Sequence, residues 1–286
     1  MTSLPIDRCD GPAHDALLRH PHAPSTVADV LRLMQVPVDG PLAAQLSLVT
    51  LRRLRPGDTL FREGAPVESL NVVRGGTFKL TCTGEDGYEQ VLGFADSREV
   101  LGLDAWFASQ HPTSALALEE ASVFAIALRD LPELMHQLPV LHSVLHRAAS
   151  LQLRRRTELV DVLAAVGAEV RLARFLVQWS RRMQAAGQSP TRFHLRMCRR
   201  DIASYLGVAH ATVSRGFGAL VDWGFVAVSN RDIEVLDLQG LARFSRSTRR
   251  PSEADDSLQV HAHRLAGQHA LHSQQRPAAA RMASAA

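Results

Sequence analysis

The spacing of apolar residues changes along the chain, and each change predicts a different kind of element. Residues 26–48 hold only short helical patches, with Val27, Val30, Leu31 and Met34 at helical steps. From about 49 to 128, short apolar runs are cut by Gly57, Gly64, Gly75, Gly76, Gly84, Gly87, Gly93 and Gly102. Segments such as Leu70-Asn71-Val72-Val73, Thr77-Phe78-Lys79-Leu80 and Gln90-Val91-Leu92-Gly93-Phe94 have the length of strands lying between turns. Many short strands at this spacing predict an antiparallel barrel or roll. From about 130 to 165 the glycines vanish. Leu141, Val144, Leu145, Ala148, Ala149, Leu153, Leu159, Val160 and Leu163 now recur at steps of three and four, which predicts a long helix, either a domain spine or a dimer seam. A shorter helix over about 168–185 carries Val170, Leu172, Ala173, Leu176, Val177 and Met183, and Gly187 and Pro190 stop it.

The segment from Arg199 to Leu220 carries the most specific pattern. Ile202 and Leu206 share one helix face, Ala203 is small where two helices would cross, and Gly207 suits the positive φ of a tight turn. Val208 plugs the turn, and Val213, Phe217 and Leu220 give the buried stripe of a second helix. This is a helix-turn-helix pattern. The outward face of the second helix is then His210, Ala211, Ser214 and Arg215, with Thr212 beside it and Arg200 on the first helix. An arginine at such a position can donate two hydrogen bonds to guanine O6 and N7 in the major groove. Next come Gly224-Phe225-Val226-Ala227-Val228, a turn at Ser229-Asn230-Arg231-Asp232, and Ile233-Glu234-Val235-Leu236. That predicts a hairpin, so the unit reads as a winged helix whose tip residue Arg231 either reaches a phosphate or is a solvated turn residue.

Charge supports this reading. Residues 1–170 hold 15 basic and 21 acidic residues, a net of −6, whereas 171–250 hold 14 arginines against 5 acids, a net of +9. An acidic front and a basic back imply two domains, the second facing a polyanion. With 46% apolar and 21% charged residues the composition is that of a soluble globular protein with a sizeable core. No apolar run reaches the roughly 18 residues of a membrane span, and the first 25 residues lack a signal-peptide core, so a cytoplasmic location is expected. The three cysteines, Cys9, Cys82 and Cys198, are too few and too scattered for a disulfide framework. The aromatic content of 5% argues against a stacking surface for carbohydrate.

The order of small-strand roll, long helix and winged helix resembles the CRP/FNR family of bacterial transcription regulators, closest to its FNR branch. The resemblance covers roughly residues 45–240. It rests on Pro56-Gly57-Asp58-Thr59-Leu60-Phe61 with Glu63-Gly64, on Glu89-Gln90-Val91-Leu92-Gly93-Phe94, on Ser180-Arg181-Arg182 and on Phe193-His194-Leu195. Asp201-Ile202 to Tyr205-Leu206-Gly207 and Val213-Ser214-Arg215 match as well. The resemblance implies an α+β chain with five parts: a flexible arm over 1–25, a jelly-roll-like β-roll sensor domain over 26–130 and a dimerisation helix over 131–165. A winged helix-turn-helix over 166–242 and a disordered tail over 243–286 complete it. It also implies a non-enzymatic homodimer that binds a two-fold site on double-stranded DNA and contacts RNA polymerase, with no membrane involvement. Aligned with the family, the long helix places Ala149, Leu153, Arg156, Val160 and Leu163 along the dimer seam.

Departures from the family pattern narrow the sensed signal. FNR-type relatives hold an iron–sulfur cluster through an N-terminal cysteine group and one roll cysteine. Here the arm has only Cys9 and the roll position is Phe124, so four thiolates are not available and no such cluster is expected. Cys82 and Cys198 read as small buried hydrophobes. Cyclic-nucleotide binders of the family clamp the phosphate with an Arg-Ser or Arg-Thr pair. This chain has Val100-Leu101-Gly102-Leu103-Asp104 and then Pro112-Thr113-Ser114, so cyclic AMP is not expected either. His142 and His146 stand four apart on the long helix, a spacing that can chelate a metal but more simply reads as polar positions on a helix face. The histidines of the arm and tail read as compositional. In most members of that family the recognition helix shows Glu, two residues and then Ser-Arg, or a variant with Glu and Arg at that spacing, and the Glu position here is Ala211. Two other readings compete: a cupin-like roll enzyme, against which His111 is the sole histidine between 50 and 128, and a regulatory subunit that does not bind DNA.

Overall fold

The computed structural model describes residues 24–37 and 48–247. The arm read over 1–25 and the tail read over 243–286 lie almost wholly outside the described residues. The chain forms two compact units: residues up to Asp161 together with Arg196–Gly207, and Val162–Leu195 together with the chain from Val208.

The first unit begins with a short strand β1 (Pro24–Thr26) and helix α1 (Val27–Leu33). Thr26 caps α1 by exchanging hydrogen bonds with Asp29, whose carboxylate accepts from the Thr26 N–H at 2.9 Å. Eight strands follow: β2 (Leu48–Leu54), β3 (Thr59–Phe61), β4 (Ser69–Gly75), β5 (Phe78–Thr83), β6 (Glu89–Ala95), β7 (Val100–Leu101), β8 (Ser114–Ala117) and β9 (Ala121–Ala127). They make two antiparallel sheets, of order β1-β2-β9-β4-β7 and β3-β8-β5-β6. The expected roll is therefore present. Between the sheets lies one apolar layer with Val73, Phe78, Leu101, Ala115, Ala117 and Val123 at its centre. The alternation of strand side chains sends Leu70, Val72, Phe124 and Ile126 to the opposite face, where α1 and the following helices cover them. The β4–β5 turn requires glycine at 76: its φ is +87°, and a Cβ there would sit 2.5 Å from the Ala121 Cβ.

The helical stretch 131–165 is two helices, α2 (Leu131–Gln137) and α3 (Val140–Ala164). The interruption is at Leu138-Pro139. Proline lacks an N–H and forces the residue before it out of helical geometry, and Leu138 has φ −128° and ψ 76°. Leu141, Val144, Leu145 and Ala148 of α3 pack into the core under the five-stranded sheet. Farther along, Gln152 donates to the Val100 carbonyl at 2.6 Å, and Arg155 pairs with Glu99 at 2.6 Å.

The second unit holds α4 (Ala168–Ala185), β10 (Arg192–His194), α6 (His210–Asp222), β11 (Val226–Ser229), β12 (Asp232–Val235) and α7 (Leu238–Phe244). Helix α5 (Arg199–Leu206) lies in the first unit. The strands form a three-stranded sheet of order β10-β12-β11. Val170, Ala173 and Val177 give α4 a buried face, and Gly216 of α6 lets the two helices approach, since a Cβ there would be 3.2 Å from the Leu172 side chain.

Candidate nucleic-acid interface

Helix α6 is built to offer one bare face. Val213, Gly216, Phe217 and Leu220 are buried, as the apolar spacing predicts. His210, Ala211, Ser214 and Arg215 are exposed, and Thr212 is half-buried. The Arg215 guanidinium donates to the Thr212 hydroxyl at 3.3 Å. That contact restrains a long side chain one turn from its root, the job a carboxylate at position 211 would otherwise do. Sequence reasoning gave Thr212 no such role. The available signal was the three-residue spacing, which places both side chains on one helix surface.

The wing is a tight hairpin. Val226 to Ser229 pair with Val235 to Asp232, and Asn230 takes φ +56° at the tip, a conformation Asn tolerates. Arg231 is half-buried at the same tip, and its carbonyl accepts from the Leu195 N–H at 2.9 Å. Two cross-strand contacts brace the sheet: an ion pair of Arg192 with Glu234 at 2.5 Å and a hydrogen bond between His194 Nδ1 and Asp232 Oδ1 at 2.8 Å. Within this unit, then, Arg215, Ser214, Thr212, His210 and Ala211 share one helix, and Arg231 stands on the wing.

Helix α5 belongs to the first unit. Its N-terminus is capped through Asp201, whose carboxylate accepts from the Cys198 N–H at 3.1 Å. Its C-terminus ends at Gly207 with φ +61°, the left-handed cap expected from the sequence. Arg200 is exposed in its first turn. Six of its eight residues, Asp201 to Leu206, are buried.

The remaining candidates can be placed individually. Ala149, Leu153, Arg156, Val160 and Leu163 are all exposed on α3, with Leu153 at 68% and Val160 at 66%, values that leave large apolar side chains in water. Arg156 meets Asp104 of its own roll at 3.4 Å. His142 and His146 are exposed on α3. Cys82 is a half-buried free thiol. Cys198 is buried, as expected of a small apolar residue. His111 stacks on Phe61 with ring centroids 3.9 Å apart and is 4% exposed. Burial lowers its pKa, against a weaker opposing pull from Asp104.

Comparison with known proteins agrees with this geometry. Residues 51–137 match the cyclic nucleotide-binding domain model and residues 170–244 the Crp-like helix-turn-helix domain model. The chain is 38% identical over 186 residues to the transcriptional activator protein Anr of Pseudomonas protegens, covering 65% of this chain and 76% of that one. It is 35% identical over 196 residues to the fumarate and nitrate reduction regulatory protein of Escherichia coli, covering 68% and 78%. Its fold is similar to that of FixK2 from Bradyrhizobium japonicum, with a TM-score of 0.63 and 26% identity over 70% of this chain and 98% of that one. No helix among the described residues is long and apolar enough to cross a membrane.

The first domain model implies a cyclic nucleotide, and the residues here do not fit one. The stretch from Val100 through Ser114 holds no arginine to clamp a phosphate, and Thr113 is buried. The nearby arginines of α3 are committed to carboxylates, Arg155 to Glu99 and Arg156 to Asp104. Nor do the residues fit an iron–sulfur cluster: Phe124 fills its strand position in the core, and three cysteines cannot supply four thiolates. What the chain shares with its relatives is the roll, the long helix and the DNA-reading unit, and it belongs to the CRP/FNR family of DNA-binding transcription regulators.

Proposed function

We propose that the protein acts in the cytoplasm as a homodimer on a two-fold DNA site and activates transcription by touching RNA polymerase. The bare face of α6 carries this reading: Arg215, held by Thr212, is its one long basic side chain, and Ser214 and His210 lie beside it. Arg215 donates two hydrogen bonds to a guanine in the major groove, which supplies specificity. Arg200 and Arg231 donate to phosphates, which supplies affinity and register. In a two-fold dimer the half-sites lie about 34 Å apart, one turn of duplex. The second half of α3 supports dimerisation, because Leu153 and Val160 are apolar and two-thirds exposed in the single chain. Regulation, and not catalysis, suits a roll whose single histidine is stacked against Phe61 inside the protein.

Selection of duplexes from a randomised library, followed by binding at increasing salt, tests this reading. It expects an inverted repeat with a guanine in each half and an affinity that falls steeply with salt. Binding without sequence preference would overturn it. For the seam, sedimentation should show that Arg156→Leu strengthens the dimer, though only modestly, because Asp104 already offsets the charge. An unchanged monomer–dimer constant would place Arg156 outside the interface.

A further inference from the structure

Helix α5 is gripped by the edge of the roll. Strand β6 is the last strand of the four-stranded sheet, so one side of its backbone lacks a strand neighbour. Ser204 of α5 occupies that side. Its hydroxyl accepts from the Val91 N–H at 2.8 Å and donates to the Glu89 carbonyl at 3.1 Å. The Gln90 side-chain amide donates to the Ser204 carbonyl, so the same short stretch of β6 contacts the helix backbone as well.

Beside this polar contact sits Lys79, the sole lysine of the chain, on β5. Its ammonium lies 3.0 Å from Glu89 and 3.0 Å from Asp201. The side chains of Lys79 and Asp201 are only 14% and 11% exposed, so the pair is shielded from solvent on both sides. Burial works against the charge of Lys79, but Asp201 and Glu89 outweigh it and raise its pKa above the ordinary lysine value. A third contact, Phe94 on Tyr205 with ring centroids 5.5 Å apart, completes the face. Desolvated ion pairs are a weak source of net stability, and their best-attested use is to fix one geometry among several. An apolar pair would hold α5 as firmly but would tolerate sliding; Lys79–Asp201 and Ser204 do not.

We propose that the β5–β6 hairpin is the transmitter of this regulator: it fixes the first helix of the helix-turn-helix through Lys79 and Ser204 and so sets how α6 is offered to DNA. This rests on the DNA-binding reading. Arg200 stays exposed in the gripped helix. Only Gly207, Val208 and Ala209 separate α5 from α6 along the chain. Lys79 and Ser204 are positioning residues. Releasing them adds freedom that binding must then remove, which lowers affinity for the specific site.

The test uses the full chain with Ser204→Ala and, separately, Lys79→Met. Lys79 pairs with Asp201 Oδ1 whereas the Cys198 N–H donates to Asp201 Oδ2, so neither change removes that capping bond, and alanine favours the helix. Hydrogen exchange at the Val91 amide should quicken in Ser204→Ala, because its acceptor is gone. Both variants should lose about tenfold in affinity for the selected site. Binding to random DNA should stay within about twofold, since no phosphate contact is altered. Faster exchange at Val91 with unchanged site affinity in both variants would overturn the transmitter role. Unchanged exchange at Val91 would overturn the grip itself. Failure of the unaltered protein to prefer its selected site over random DNA would instead sink the DNA-binding reading beneath it.

Discussion

Helices α5 and α6 form one motif, and their sequences carry similar amphipathic patterns, yet they live in different surroundings. Six of eight residues of α5 are buried, against four of thirteen in α6. The difference does not come from apolar content. Asp201 and Ser204 are polar and buried because the roll supplies partners for them, whereas Ser214 and Arg215 are polar and bare. A buried polar group with partners marks a fixed contact, and an exposed row at helical spacing marks a surface kept free for another molecule. One helix of the motif is held, and the other reads.

The comparison is broken most severely from the apolar side. Ile202 is 1% exposed in α5, and Val221 is 41% exposed in α6. Ile202→Ala should cost about 2–5 kcal/mol in denaturant unfolding, and Val221→Ala no more than about 0.5 kcal/mol. Similar losses at both positions would mean that the two helices are equally embedded.

On the reading side, Arg215→Ala should cost about 1–3 kcal/mol on a specific duplex and almost nothing on random DNA. An equal loss on both kinds of DNA would show that Arg215 touches a phosphate. Thr212→Val sharpens this further. It removes the hydroxyl 3.3 Å from the Arg215 guanidinium while keeping the shape of the side chain. A loss of about 1 kcal/mol on the specific site, reversed by Thr212→Ser, is expected. Equal binding by all three proteins would leave Arg215 without need of the restraint.

What could be read from sequence follows the same division. The stripe of Val213, Phe217 and Leu220 and the left-handed turn at Gly207 were legible, because both are set by neighbours within a few residues. The short glycine-cut strands announced the roll for the same reason. The burial of Ser204 was not legible, since its partners Glu89 and Val91 lie more than a hundred residues away. Nor was the pairing of Arg156 with Asp104, which is 52 residues distant. Periodicity tells which face of a helix is apolar but is silent on what meets a polar side chain. The split of the long helix at Pro139 was legible in principle, because the restriction on the residue before proline is local. The periodic apolar residues that predict the long helix, from Leu141 to Leu163, all lie beyond it.

The smallest expected change in affinity, and the finest test of α6, is at Ala211. The residue is exposed one turn before Arg215, on the same helix face. The family pattern places Glu there in most members, and a glutamate accepts from the cytosine N4 amine, whereas alanine has no polar atom and at most touches a thymine methyl. The half-site should therefore keep its guanine opposite Arg215 but be degenerate, or shifted toward thymine, at the base pair that Glu would read. Ala211→Glu should restore a preference for cytosine at that pair. Total affinity should move by no more than about 0.5 kcal/mol, because Thr212 already holds Arg215 and a new carboxylate four residues back adds only a helix-surface ion pair. The glutamate also brings a negative charge toward the phosphates, which offsets part of its gain. Selection with both proteins from one randomised half-site library decides the matter. If the unaltered protein already fixes cytosine at that pair as strongly as it fixes the guanine, His210 or Ser214 makes the contact, and the bare face of α6 reads more than Arg215 alone.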